Sequence, residues 1–198
     1  MSKGGASLFV VTGAPGAGKT TLPPELIRLA AGQVVLDIDE LLDEHGNHLG
    51  VPIATPEAAA IWPEYNRMWL RIAGFSQRAG HPVILLCPLT PDEMAVACPG
   101  SSGDVRWGLL DCSDSVRAER LRARGWDDAA IAEALADAAA YRSITATVFR
   151  TDEATPAVVA EGLLAWVSWS ADQLTLAAVQ ARSVMSASCA GVTCFSAL

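Results

Sequence analysis

Lysine is almost missing from this chain: Lys3 and Lys19 are the whole complement, and every other basic side chain except three histidines is arginine. Charge of any sign is scarce, at 18% of 198 residues, and it sums to -8. An acidic chain offers no broad basic surface for a polyanion, which argues against a nucleic-acid partner. A small anionic ligand needs only a local positive site and stays open. The five cysteines (Cys87, Cys98, Cys112, Cys189, Cys194) are odd in number and without paired spacing, so no disulfide framework is expected. Nothing resembles a secretory signal, because Leu8-Phe9-Val10-Val11 breaks at Gly13. No apolar run reaches the length of a membrane span. The expectation is a reduced, cytoplasmic protein with no membrane partner, monomeric or homodimeric.

With 51% apolar residues the composition is globular, and the length fits one domain with a full core. Short β-like runs alternate with longer helical ones, which is the pattern of βαβ units on a parallel sheet. Strands are expected at Leu8–Thr12, Gln33–Asp37, Pro82–Cys87, Val105–Asp111 and Thr145–Arg150. Helices are expected at Lys19–Ala31, Glu64–Ala79, Asp114–Arg124, Asp128–Arg142 and Pro156–Ser170, with Ser113 as an N-cap and Gly125 as a stop. Residues 1–170 read as one domain. Residues 171–198, rich in Ala, Ser and Val, read as an extension that is either a docked helix or disordered.

Gly13-Ala14-Pro15-Gly16-Ala17-Gly18-Lys19-Thr20 matches G-x-x-x-x-G-K-[ST] in full, with a β-branched strand before it and a helical run after it. Glycines let backbone N–H groups turn inward on a phosphate at a helix N-terminus. Lys19 is expected on the β- and γ-phosphates, Thr20 on Mg²⁺, and Thr21 beside them. No acidic residue closes Val83-Ile84-Leu85-Leu86-Cys87-Pro88, and no lysine follows Lys19 to make a guanine-reading motif. A switch GTPase is therefore not expected.

Asp37-Ile38-Asp39 closes the second strand, and strand C-terminal ends are where open α/β sheets place ligands. Alternation would put both carboxylates on one side. Asp37 is expected on the metal side, and Asp39 as the base that accepts a hydroxyl proton. The plainer alternative is that Asp39 caps a helix through Leu42. Arg117, Arg120 and Arg124 share a helix face, and Arg142 lies near the end of the next helix. Of these, Arg120, Arg124 and Arg142 are the candidates for phosphate contact, against the alternative of a solvated face paired to Asp114 or Glu119. A lid is expected over about residues 117–142, hinged at Gly125.

That order of motifs, followed by Thr151-Asp152 after the last strand, resembles the shikimate, gluconate and nucleotide kinase branch of the P-loop kinases. Trp62 to Trp69, then Ile84 to Thr90, then Glu119-Arg120-Leu121-Arg122-Ala123-Arg124 is similar to the tunicamycin-resistance ATP-binding proteins. Asp39 resembles the base of chloramphenicol phosphotransferase. The resemblance implies a three-layer α/β fold with a five-stranded parallel sheet in the order 2-3-1-4-5. It also implies ATP with Mg²⁺, and an adenine site near Arg120, Thr151 and Asp152.

Residues 41–79 form the expected acceptor insert. Trp62, Asn66 and Trp69 share a helix face on which two indoles would sandwich a flat ring, with Tyr65 beside them. Arg67 would suit an anionic acceptor. The opposing reading places these aromatics in the core. The function expected is transfer of the ATP γ-phosphate to a hydroxyl of a small molecule, a nucleoside or an antibiotic-like natural product. A nucleoside monophosphate kinase and a non-catalytic nucleotide-binding module remain as alternatives.

Overall fold

Val10, Val11 and their neighbours make β1 (Leu8–Thr12) buried at all five positions, as a strand must be when both sheet faces are covered. The structure is a computed structural model and describes residues 6–44, 46–53, 55–99 and 104–169. Numbering only the strands of the main sheet, β2 is Val34–Asp37, β3 Val83–Leu86, β4 Val105–Asp111 and β5 Val148–Arg150. All four pairings are parallel and the order is β2-β3-β1-β4-β5, as the resemblance implied.

Alternation along the strands divides the core. Leu8, Val10, Val83 and Leu85 face α2 (Trp62–Arg78) and α3 (Pro91–Ala97) through Trp69, Leu70, Ala73 and Met94. Phe9, Val11, Ile84 and Leu86 face α1 (Pro23–Leu29) and the last helix, α6 (residues 156–169), through Leu22, Leu26, Leu163 and Val167. These are the three layers. A smaller cluster of Ala118, Leu121, Ile131 and Ala134 joins α4 (Asp114–Ala123) to α5 (Asp128–Arg142). No helix among the described residues is long and apolar enough to cross a membrane.

Three local expectations are corrected. The helix expected from Lys19 is interrupted: Lys19–Thr21 is a 3-10 turn, and α1 starts afresh at Pro23. Pro23 and Pro24 lack the N–H that an interior turn requires, yet they fit the first positions of a new helix. Helix α3 was not expected, although Thr90-Pro91-Asp92-Glu93 carries its signal. The Thr90 N–H donates to Glu93 Oε2 at 2.8 Å and the Glu93 N–H to Thr90 Oγ1 at 3.3 Å, a complete capping box. Ser113 holds the N-cap position of α4 but gives no side-chain cap; its own N–H donates to Asp152 Oδ2 at 2.7 Å. The 171–198 extension and Ser170 lie outside the described residues, as do Cys189 and Cys194.

The insert between β2 and α2 contains a hairpin of Asn47–His48 with Val51–Pro52 and a 3-10 turn over Pro56–Ala60. Pro63 sits in the first turn of α2, so it restarts the helix rather than kinking it.

Candidate functional site

The loop from Gly13 to Gly18 turns back on itself because two of its glycines hold a left-handed backbone, Gly16 at φ +78° and Gly18 at φ +98°. Gly13 is fixed by crowding instead, since a Cβ there would lie 2.7 Å from the Leu110 carbonyl oxygen. This is the cradle that the motif requires: only bare backbone fits, so its N–H groups stay available to an anion. Ala14 and Ala17 are buried beneath it, and Pro15 is half-buried. The Lys19 ammonium donates to the Gly13 carbonyl and, at 3.3 Å, to that of Ala14. Burial lowers its pKa, against the pull of Asp39 and Asp37. The Thr20 side chain is exposed at the loop's end, and the Thr21 hydroxyl donates to the Gly18 carbonyl at 2.9 Å.

Helix α4 fastens the loop from behind. Arg117 is fully buried and donates to the Pro15 carbonyl and to Asp111 Oδ1, both at 2.6 Å. Arg120 bridges the Gly16 carbonyl at 3.1 Å to the Thr151 hydroxyl at 3.0 Å and the Thr151 carbonyl at 2.9 Å. Asp111, at the end of β4, also receives Arg142 at 2.7 Å and Arg150 at 3.3 Å. Burial pushes the Asp111 carboxyl up, but Arg142, the Cys112 N–H and Arg117 more than offset this and leave it below its ordinary value. The hub of Asp111, Arg117 and Arg150 was not among the expected site residues. Its signal was present as an aspartate at a strand end with Arg117 six residues on.

The expected arginines therefore separate. Arg120 touches the phosphate loop itself. Arg124 lines a cavity of about 530 Å³ beside the loop, together with Gly16, Gly18, Arg120, Thr151 and Pro156. The Arg142 guanidinium is engaged by Asp111, Asp114 and the Cys112 carbonyl, so the pairing to Asp114 named as the alternative holds there. The Asp152 carboxylate goes to Ser113 N–H and to Arg150 at 3.0 Å, while Thr151 borders the cavity.

Asp37 and Asp39 do not share a strand face, because β2 ends at Asp37 and Asp39 belongs to the 3-10 turn Ile38–Leu41. Asp37, not Asp39, is the cap: its Oδ1 accepts the Asp39 N–H at 3.1 Å. Burial raises the Asp37 pKa to about 6, with Asp39 and Glu40 adding repulsion and the Asp39 N–H and Lys19 opposing. Partial desolvation raises Asp39 as well, although the residue is exposed, with Lys19 pulling it down. Both carboxylates thus share the field of Lys19.

The acceptor insert divides in the same manner. Tyr65 and Trp69 belong to the core, 4% and 5% exposed, and the Tyr65 hydroxyl donates to the Ile38 carbonyl. Trp62 packs edge-on against Tyr65, with ring centres 5.7 Å apart. No indole sandwich forms: Trp69 packs inward, while Trp62 and Asn66 line a second cavity of about 530 Å³. Arg67 turns away to Glu64 at 2.6 Å and to the Ala97 carbonyl at 3.2 Å.

No family model and no curated protein matches the chain. Solved structures do. A tunicamycin resistance protein of Deinococcus radiodurans aligns with 82% of this chain and 95% of its own, at 19% identity and a TM-score of 0.60. Shikimate kinase of Acinetobacter baumannii covers 83% and 94% at 17% identity with a TM-score of 0.56. A gluconokinase of Sinorhizobium meliloti 1021 covers 88% and 98% at 20% identity with a TM-score of 0.54. The fold is that of the P-loop kinases, and these structures fall in the branch that the sequence resembles.

Proposed function

We propose that this protein is an ATP- and Mg²⁺-dependent phosphotransferase that acts on a hydroxyl of a small molecule, a nucleoside or an antibiotic-like natural product. One observation carries the reading: Lys19 is held against a glycine cradle and shares its field with two carboxylates, the buried Asp37 and the exposed Asp39. A structural turn between strand and helix needs neither the lysine nor the carboxylates. Residues 13–19 fit a polyphosphate, because their left-handed and crowded glycines leave backbone N–H groups as the lining. Thr20 and Asp37 would hold Mg²⁺, and the cavity bordered by Arg120, Arg124 and Thr151 would take the base of the nucleotide. Bound ATP with its metal supplies the transferable phosphoryl group.

The chain's own residues supply position and proton transfer. Lys19 neutralises charge on the phosphates. Asp39 takes the proton of the acceptor hydroxyl, and partial desolvation raises its basicity although the residue reaches solvent. Arg120 positions Gly16 and with it the loop. A phosphate acceptor would need free arginines on its side. Arg67 is committed to Glu64, and the second cavity is bordered by Asp92 and Glu93, so a hydroxyl acceptor is favoured over a nucleoside monophosphate.

The test is Asp39→Asn assayed for turnover with acceptors found in a screen of nucleosides, nucleotides and antibiotics. Loss of about 10²–10⁴ in rate with ATP affinity intact is expected, since Asn keeps the size but accepts no proton. Near-normal turnover removes the base. ATP binding without turnover on any acceptor points instead to a nucleotide-binding module, and ATP affinity unchanged in Lys19→Ala would overturn the phosphate loop.

A further inference from the structure

Asn66 is the polar side chain that the acceptor-side helix presents to a cavity. It lies on α2, 7% exposed, and its amide takes no hydrogen bond among the described residues. The amide is therefore left to the cavity, where a ligand can take its hydrogen bonds. It borders the second cavity one turn after Trp62, opposite Leu89, Asp92, Glu93 and Tyr141. No cation borders that cavity. Glu93 is partly used in the capping box, whereas Asp92 is exposed and forms no ion pair among the described residues.

The cavity adjoins the proposed chemistry. Its Pro88–Leu89 wall directly follows Cys87, which lies within the electrostatic reach of Lys19 and Asp37. The Tyr141 hydroxyl, carried in on α5, donates to the Pro88 carbonyl. Burial, and after it the nearby Glu93, pushes that hydroxyl up to about 12, so it stays a neutral donor.

We propose that this cavity is the acceptor site, and that it selects a ring-bearing alcohol carrying a protonated amine, with the ring on Trp62, the Asn66 amide on a polar ring substituent and the amine toward Asp92. The proposal rests on the phosphotransferase reading and narrows its acceptor to a cation. An indole face and an unpaired carboxylate both favour an ammonium group, and the same carboxylates repel an anion.

Three fragments differing in one group test it on the full chain with an ATP analogue bound: 2-amino-1-phenylethanol, 1-phenyl-1,2-ethanediol and mandelate. Ligand-observed NMR should rank the amine about five-fold tighter than the diol, with mandelate weakest. Asp92→Asn should bring amine and diol within about two-fold. Asn66→Leu should weaken amine and diol alike with little change in Tm, because the amide faces the cavity and holds no other part of the fold. Mandelate binding as well as the amine overturns the proposal, as does an amine preference that survives Asp92→Asn. So does the absence of fragment binding, or full fragment binding in Asn66→Leu. Nucleotide affinity is read in every sample, and its loss in the parent protein would indict the kinase reading instead.

Discussion

The two flanks of the sheet's C-terminal edge are finished differently. On the β4–β5 flank the charged side chains are spent on one another, although Arg117 Nε and Asp152 Oδ1 are buried without a hydrogen-bond partner. Asp111 holds three guanidinium groups, Arg120 spans two segments, and the loop carbonyls of Pro15 and Gly16 are both taken. On the β2–β3 flank polar groups are left over. The Asn66 amide opens to a cavity, His48 Nδ1 and Trp69 Nε1 are buried without a partner, and Asp37 is buried beside Asp39 and Glu40. The first flank is built to hold one shape with nothing bound. The second keeps stability in reserve, as sites that must answer to a ligand commonly do.

The strongest way to break that contrast is Arg117→Met. If the β4–β5 flank is the rigid one, removing its buried cation leaves Asp111 short of its innermost partner and should cost about 3–5 kcal/mol in urea unfolding. A loss below 1 kcal/mol would mean that Arg142 and Arg150 suffice and that the flank is less tightly built than described.

Asp37→Asn should act in the opposite sense. Asp37 keeps its proton up to about pH 6 in the folded chain, against 3.8 as its ordinary value. The folded form therefore binds the extra proton between those limits. This group's stabilising contribution is complete below pH 3.8 and lost as pH rises through about 6. Asn mimics the neutral form and caps as well as Asp. Parent and variant should match near pH 4, and the variant should be the more stable by roughly 2 kcal/mol at pH 8, while Mg²⁺-dependent nucleotide binding weakens. A variant less stable at pH 8 would show that Asp37 is a structural cap and nothing more.

The smallest effect sharpens the boundary of the acceptor side. Arg67→Ala removes a side chain that is 43% exposed and paired along its own helix. It should shift stability by no more than about 0.5 kcal/mol and leave acceptor preference unchanged. A changed preference would return Arg67 to the site.

Sequence legibility followed the same division. The phosphate loop was readable because glycines with left-handed φ and a lone lysine leave a local pattern, and β1 and β3 because burial on both faces leaves continuous apolar runs. The strand order came through resemblance rather than periodicity. The Pro23-Pro24 break and the Thr90–Glu93 capping box were written in the chain but outweighed by the helical run in one case and passed over in the other. What stayed hidden was non-local. Nothing near Arg117 states that Pro15 and Asp111 will surround it, and nothing near Trp62 and Trp69 states which indole faces the core. Asp37 and Asp39 were found as a pair, but a single residue's turn from strand to 3-10 geometry exchanged the cap between them.

The register of β1 sets the order in which the molecule can be completed. Leu8 pairs with Val83 on one side and Val105 on the other, and the Pro15 carbonyl waits for a donor 102 positions downstream. During synthesis at about 5–20 residues per second, the phosphate loop spends several seconds without either neighbouring strand or its arginine clamp. Closing such distant pairings is entropically slow even in the finished chain. The loop is thus made well before the strands and the arginine that give it its shape, and an interrupted chain that ends before residue 117 carries the whole loop motif without the clamp that holds it.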